Sequence, residues 1–155
     1  MMWESAIAAY IHYLSFGLVL ASLIVERQTM KSELSIREGW VILIADGIYG
    51  TAATALLATG VLRLLYFGKG TEFYTENPVF WAKVIVFFAA ASISLYPTIS
   101  YLMWIGKLRQ NIAPKVTPFR TNLIHWIINI ELVGFSSIPL LASMMARGIG
   151  LEWFS

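Results

Sequence analysis

The 155-residue chain contains no cysteine. Disulfides, iron–sulfur clusters, thiolate zinc sites and a haem attached through Cys-x-x-Cys-His are therefore excluded. Charged residues are also scarce, at 13% of the chain, against about 25% in soluble domains. With a formal net charge of only +2, the chain lacks the strongly basic surface on which nucleic-acid binders depend.

Hydrophobic residues make up 58% of the chain and are concentrated in four long runs. A bilayer core of about 30 Å is crossed by a helix of about 20 apolar residues. The runs therefore predict spanning helices at about residues 5–25, 40–67, 78–104 and 118–145. The connections between them are short, so we expect residues 1–155 to form a single all-α domain, an integral membrane four-helix bundle with antiparallel neighbours.

The distribution of basic residues predicts the orientation of this bundle. Seven basic residues lie in or beside the first and third connections: Arg27, Lys31, Arg37, Lys107, Arg109, Lys115 and Arg120. Only Lys69 and Arg147 lie clearly on the opposite side. Because basic loops stay in the cytoplasm, both termini are expected on the non-cytoplasmic side.

Ionisable side chains occur in each predicted helix, and such residues are costly in a membrane unless they face the bundle interior. Their depths predict two layers. His12, Lys83 and Glu131 are expected toward the outside, and Asp46 and His125 toward the cytoplasm. On the fourth helix, Asn129 shares a small and polar stripe with His125, Leu132, Ser136, Pro139 and Ser143. This stripe is expected to face the interior, with Glu131 about 120° away from it.

Each of these residues has a structural interpretation beside a functional one. His12 is either a neutral imidazole hydrogen-bonded to a neighbouring helix or an axial ligand to haem or another metal. His125 is either a second ligand or one half of a buried pair with Asp46. Lys83 either pairs with a ligand carboxylate or extends to the nearby membrane surface. For Glu131 the expected partners are Lys83 and His12.

Several sequence patterns resemble an uncharacterised family of small bacterial and cyanobacterial membrane proteins that share a domain of unknown function. They are Tyr10-Ile11-His12-Tyr13, Ala58-Thr59-Gly60-Val61-Leu62-Arg63, Gly68-Lys69-Gly70, and the segment from Phe73-Tyr74 through Asn77-Pro78 to Phe80-Trp81-x-Lys83. The resemblance implies a bacterial inner membrane or a thylakoid membrane. No established activity comes with this family.

The chain is also similar, more distantly, to the superfamily of HemJ-type protoporphyrinogen oxidases and copper-resistance D proteins. His12, Trp81 and Lys83 occupy the matching positions, although the Trp-x-Lys spacing here is one residue shorter. This resemblance implies haem b or another tetrapyrrole as cofactor, with His12 and Lys83 at its site. From the residues themselves, His125 is the candidate second ligand. At 1.5 Å per residue, however, its predicted depth differs from that of His12 by roughly 10 Å, so ligation by His12 with a second ligand from elsewhere is an equal alternative. The chain carries no hydrolase, zinc-protease or phosphate-binding motif, so no reaction is assigned.

Two other functions are compatible with the sequence. A small membrane protein with short loops and wide apolar faces suits an accessory or assembly subunit of a larger photosynthetic or respiratory complex, or a homo-oligomer. Alternatively, Asp46, Glu131 and the two histidines line a path for a metal ion, a proton or a solute. Against transport, the sequence has neither an evident inverted repeat nor a broken-helix signature.

Overall fold

The computed structural model describes residues 2–67 and 70–150. Its long helices are α1 (Met2–Thr29), α2 (Ile36–Leu62, continued by a π-helical turn at Arg63–Phe67) and α7 (Pro118–Ala146). A third apolar span consists of α4 (Pro78–Ile93), α5 (Leu95–Leu102) and α6 (Ile105–Arg109), and a short α3 (Thr71–Thr75) precedes it. Four helical segments, 2–29, 36–67, 78–109 and 118–146, are long and apolar enough to cross a membrane.

Local sequence signals define where these helices begin. Ser35 caps α2: its hydroxyl accepts from the Glu38 amide at 3.2 Å, and Glu38 Oε2 accepts from the Ser35 amide at 2.8 Å. This reciprocal capping box satisfies two amides that a helix start leaves without partners. The side chains of Asn77 and Thr117 cap α4 and α7, each followed by a proline at the first helical position.

The third span is interrupted one turn before Pro97. Proline has no amide hydrogen, and its ring collides with the carbonyl four residues earlier, here that of Ile93. The helix α4 ends at Ile93, and α5 begins one residue later, after Ser94. The hydroxyl of Ser94 donates to the Ala91 carbonyl at 2.8 Å and so satisfies one acceptor at the break.

The helices pack as a bundle in which α1 lies along α2 and α4 lies along α7. The interior contains Val19, Leu23, Ile42, Tyr49, Tyr101, Ile128 and Phe135. Large apolar side chains such as Trp126 and Val133 point outward and are mostly exposed. An exposed apolar surface of this extent is stable against lipid and not against water. The predicted all-α membrane bundle is therefore confirmed.

The chain path gives the bundle two ends. One end, called the loop side, carries the connections 30–35 and 110–117, which are joined by an isolated bridge between Glu33 and Lys115. The other, called the terminal side, carries the start of α1, the π-helical turn, α3 and the end of α7. All seven basic residues that predict the orientation lie in or beside these two connections, Arg120 being in the first turn of α7. Arg147 is on the terminal side, and Lys69 falls outside the described residues.

Candidate functional site

A pocket of about 430 Å³ opens on the terminal side between α1, α2, α4 and α7. Most of its wall is apolar and aromatic, including Tyr13, Phe16, Phe73, Phe80 and Phe87. Three nitrogen-bearing side chains also line it: His12, Arg63 and Lys83. Small-molecule and cofactor pockets typically have about 300–1,000 Å³ and the same combination of apolar walls with a few polar groups. We call this cavity the His12 pocket.

The hydrogen bonds around His12 determine which ring nitrogen is available to a ligand. His12 Nδ1 lies 2.9 Å from Thr59 Oγ1. The Thr59 hydroxyl itself donates to the Ala55 carbonyl at 2.6 Å. A hydroxyl has one hydrogen, so Thr59 accepts from His12, and the proton of the neutral ring sits on Nδ1. The lone pair of Nε2 is then free to bind a metal or accept a proton.

The two cations of the pocket have aromatic rather than anionic neighbours. The Arg63 guanidinium carbon lies 5.3 Å from the centre of the Tyr13 ring, and Lys83 Nζ lies 5.2 Å from that of Phe80. Within residues 2–67 and 70–150, neither cation forms a salt bridge. Arg63 Nη1 is buried and has no hydrogen-bond partner. A buried guanidinium hydrogen without an acceptor is costly, so this corner of the pocket is chemically suited to an anion.

The π-helical turn brings Arg63 to this corner. The helix α2 ends at Leu62, and Arg63–Phe67 continue it with the wider winding of a π-helix. Such turns are rare and frequently occur at functional sites. Because Thr59 lies one turn earlier on the same helix, α2 supplies both the group that orients His12 and the nearest unpaired cation.

The structure separates the other predicted ligand from this pocket. His125 lies near the loop side, where its Nε2 is 3.0 Å from the Met30 carbonyl oxygen. Asp46 does not pair with it, because Asp46 Oδ1 accepts from the Thr98 hydroxyl at 2.7 Å. The expected Asp46–His125 pair is therefore absent. His12 and Lys83 line the same cavity.

Asn129, expected on the inward-facing stripe of α7, is exposed, and Glu131, about 120° from that stripe, lies on the inward face instead. Glu131 is buried in the bundle, and its Oε1 accepts from the Tyr49 hydroxyl at 2.9 Å, at the level of Asp46 rather than of His12. Asn129 is exposed and accepts from Arg27 Nε at 2.9 Å. The expected pairing of Glu131 with His12 or Lys83 is therefore wrong. The rotation of α7 turns large side chains such as Ile128 and Phe135 inward, and Glu131 shares their face.

Sequence reasoning did not select three residues that the structure places at polar sites. Arg63 lines the His12 pocket, Thr59 holds the His12 ring from behind it, and Glu26 is buried beside other acids deeper in the bundle. Two of these residues could have been recognised in the sequence as candidate site residues: Arg63 directly follows an apolar run, and Glu26 lies in the last turn of a spanning helix. Thr59 carries no such signal, because threonines in membrane helices commonly bond their own backbone.

Four long apolar helices packed around a common core define an integral membrane helical bundle. The chain belongs to the family of predicted membrane proteins designated DUF2214, whose family model matches residues 4–150. No curated protein and no solved structure matches the chain. The more distant likeness to HemJ-type oxidases thus has no support from these comparisons.

Proposed function

We propose that this membrane protein binds a planar, amphipathic ligand with carboxylate groups in the His12 pocket, and that haem b or a related tetrapyrrole is that ligand. The observation that carries the proposal is the combination of the free His12 Nε2 with the buried, unpartnered Arg63 Nη1 in one aromatic cavity. A tetrapyrrole needs an axial donor for its metal, apolar walls for its ring and cations for its carboxylates.

The residues present fit each of these requirements. His12 would supply the axial nitrogen, with Thr59 holding its ring as outer partners of metal-bound histidines do. Arg63 and Lys83 would pair with the carboxylates, while Phe16, Phe80 and Phe87 enclose the ring. Bound haem would supply one-electron transfer at its iron.

A second side chain that could ligate the metal of a cofactor lines the same cavity. Met145 is buried and lines the His12 pocket, and methionine thioethers ligate haem iron in some cytochromes. His125 lies on the loop side and is not among the lining residues. Within the described residues, no group of three or more His, Cys, Asp and Glu side chains is placed to hold a bare metal ion. The proposed role of His12 as a metal ligand therefore requires a cofactor that brings its own metal.

The visible spectrum of the gently purified protein tests this proposal. After expression with ample haem supply, the wild type is expected to show a Soret band, His12→Ala to lose most of it, and His125→Ala to retain it. Retention in His12→Ala with loss in His125→Ala would place the cofactor on the loop side. A colourless wild type would overturn the proposal and leave an accessory subunit of a larger membrane complex as the next candidate.

The proposal includes an orientation. With the basic loop side in the cytoplasm of a bacterial inner or thylakoid membrane, the His12 pocket opens toward the non-cytoplasmic half of the bilayer. Seven basic residues in or beside the loop-side connections support this orientation.

A further inference from the structure

A second polar site lies deeper in the bundle, separate from the His12 pocket. It contains Glu26 of α1, Asp46 of α2 and Glu131 of α7, which we call the acidic cluster. Their exposed fractions are only 2%, 9% and 1%. Glu26 lies fourteen residues after His12, which at 1.5 Å per residue places the two about 21 Å apart along α1. The carboxyls of Asp46 and Glu131 are close enough to Glu26 for their charges to act on it.

The hydrogen bonds of the acidic cluster come from neutral groups. Tyr49 donates to Glu131, and Thr98 donates to Asp46. In the described part of the chain no salt bridge reaches any of the three carboxyls. The nearest basic side chain in sequence, Arg27, instead donates to Asn129 on the outer face. Among the described residues, the titratable groups facing the cluster are Glu26, Asp46, Tyr49, Tyr101 and Glu131.

Three buried oxygen atoms at this site have no hydrogen-bond partner: Glu26 Oε1, Glu131 Oε2 and the hydroxyl of Tyr101. Tyr101 is completely buried, and its hydroxyl lies beside the Glu26 carboxyl. Buried polar atoms are rarely left without partners, because each such atom costs about 1–3 kcal/mol. The Tyr101 hydroxyl and Glu26 Oε1 are therefore neighbours that can share a hydrogen with each other, whereas Glu131 Oε2 has no such neighbour among the described residues and still needs a donor.

The charges of the three carboxyls indicate what the unpartnered oxygen atoms bind. Three carboxylates cannot all be ionised in a low-dielectric interior without cations, since like charges repel and desolvation is costly. The described residues provide no arrangement of three such ligands around a metal ion. We propose that the acidic cluster is an intramembrane proton-binding site, in which at least one carboxyl is a neutral acid whose hydrogen is shared with the orphaned oxygens. Glu26 lies in the last turn of α1, so the loop side is the nearer end of the bundle for this site.

Infrared spectroscopy of the purified protein at neutral pH tests this inference without reference to haem. The wild type is expected to show the carbonyl band of a neutral carboxylic acid, shifted in D₂O and unchanged by Na⁺ or K⁺. The other described carboxyls differ from these three, because they are exposed or, for Glu38, paired with Lys31 at 2.6 Å. The wild-type spectrum is therefore informative even if a variant fails to fold.

Three volume-conserving variants locate the band: Glu26→Gln, Asp46→Asn and Glu131→Gln. At least one of them is expected to lose band intensity, whereas Glu76→Gln, at an exposed carboxyl, keeps it. Absence of the band in the wild type would overturn the proposal. Its disappearance on addition of Na⁺ or K⁺ would also do so and would indicate a cation site. An unchanged band in all three variants would place the proton elsewhere.

Discussion

The imidazole of His12 and the hydroxyl of Thr59 form a hydrogen bond of 2.9 Å that joins the neighbouring helices α1 and α2. Because the hydroxyl already donates to the Ala55 carbonyl, this bond assigns the ring proton to Nδ1. The His12 pocket thus contains a basic nitrogen whose orientation is set before any ligand arrives.

This hydrogen bond predicts a specific tautomer. In nitrogen NMR of the detergent-solubilised wild type without added haem, one of the two histidines is expected as the neutral Nδ1–H form. Thr59→Val keeps the side-chain shape and removes the acceptor, so His12 is expected to lose this preference. Under the proposed function, affinity for haem falls by about 10- to 100-fold, as for other outer partners of metal ligands. Thr54→Val, at an exposed threonine bonded to its own helix, is the control. A pure Nε2–H form in the wild type would contradict the assignment.

The guanidinium of Arg63, which has no salt-bridge partner among the described residues, predicts that the protein binds haem more tightly than the dimethyl ester of haem. Charge-assisted hydrogen bonds contribute about 1.5–3 kcal/mol, so Arg63→Gln is expected to weaken haem binding by about tenfold or more. Binding of the dimethyl ester of haem, which has no carboxylates, should be the same in Arg63→Gln and in the wild type. Titration followed by absorbance measures both affinities. The exposed Arg120 gives the control, Arg120→Gln. Equal losses for the acid and the ester would exclude a carboxylate contact at Arg63.

The bond from Tyr49 to Glu131 predicts a non-additive pair of substitutions. Tyr49→Phe leaves both oxygens of a buried carboxyl without partners and is expected to destabilise the protein by about 1–3 kcal/mol. In the double variant with Glu131→Met, both polar partners are gone, so the loss should be smaller than in Tyr49→Phe alone. Thermal unfolding in detergent gives the comparison. A double variant less stable than Tyr49→Phe would show that Glu131 has another stabilising partner.

Gly39, near the start of α2, packs closely against Leu108 and Pro114. A Cβ at this position would lie 2.8 Å from Leu108 Cδ2 and 3.1 Å from Pro114 Cγ. Gly39→Ala is therefore expected to overpack this contact and cost about 1–3 kcal/mol. Gly50→Ala is the matched control, because a Cβ at that position would have nothing within 4 Å and alanine favours the helix by up to about 1 kcal/mol. Unfolding midpoints should move in opposite directions, and a stabilised Gly39→Ala would contradict the packing described.

The orientation is tested by cysteine labelling, which is clean because the chain has no cysteine. Gln110→Cys on the loop side is expected to react only from the cytoplasm, and Thr71→Cys on the terminal side only from the other compartment. Both side chains are exposed and neither caps a long helix. Ser35 is unsuitable because it caps α2. The reverse labelling pattern would invert the proposed topology.

Part of the candidate site was predictable because its signals are local. His12 and Lys83 are ionisable residues in apolar helices at similar depths, and they line the same pocket. The contribution of Thr59 and Arg63 to the candidate site depends on α2 lying beside α1. It also depends on a π-helical turn that no residue pattern predicts. The acidic cluster joins Glu26 to two acids from other helices, which is a relationship between helix faces rather than within one sequence segment.

The number of apolar helices and the membrane class follow from the sequence alone. Backbone groups in lipid must be satisfied within each segment, so an apolar run of sufficient length has no alternative to a helix. Only the tertiary structure decides which polar groups meet. The rotation and offset of each helix depend on how side chains of different sizes pack against their neighbours. That packing turns Glu131 inward to Tyr49 and leaves Asn129 on the outer face. It also places Asp46 in a hydrogen bond with Thr98 rather than with His125.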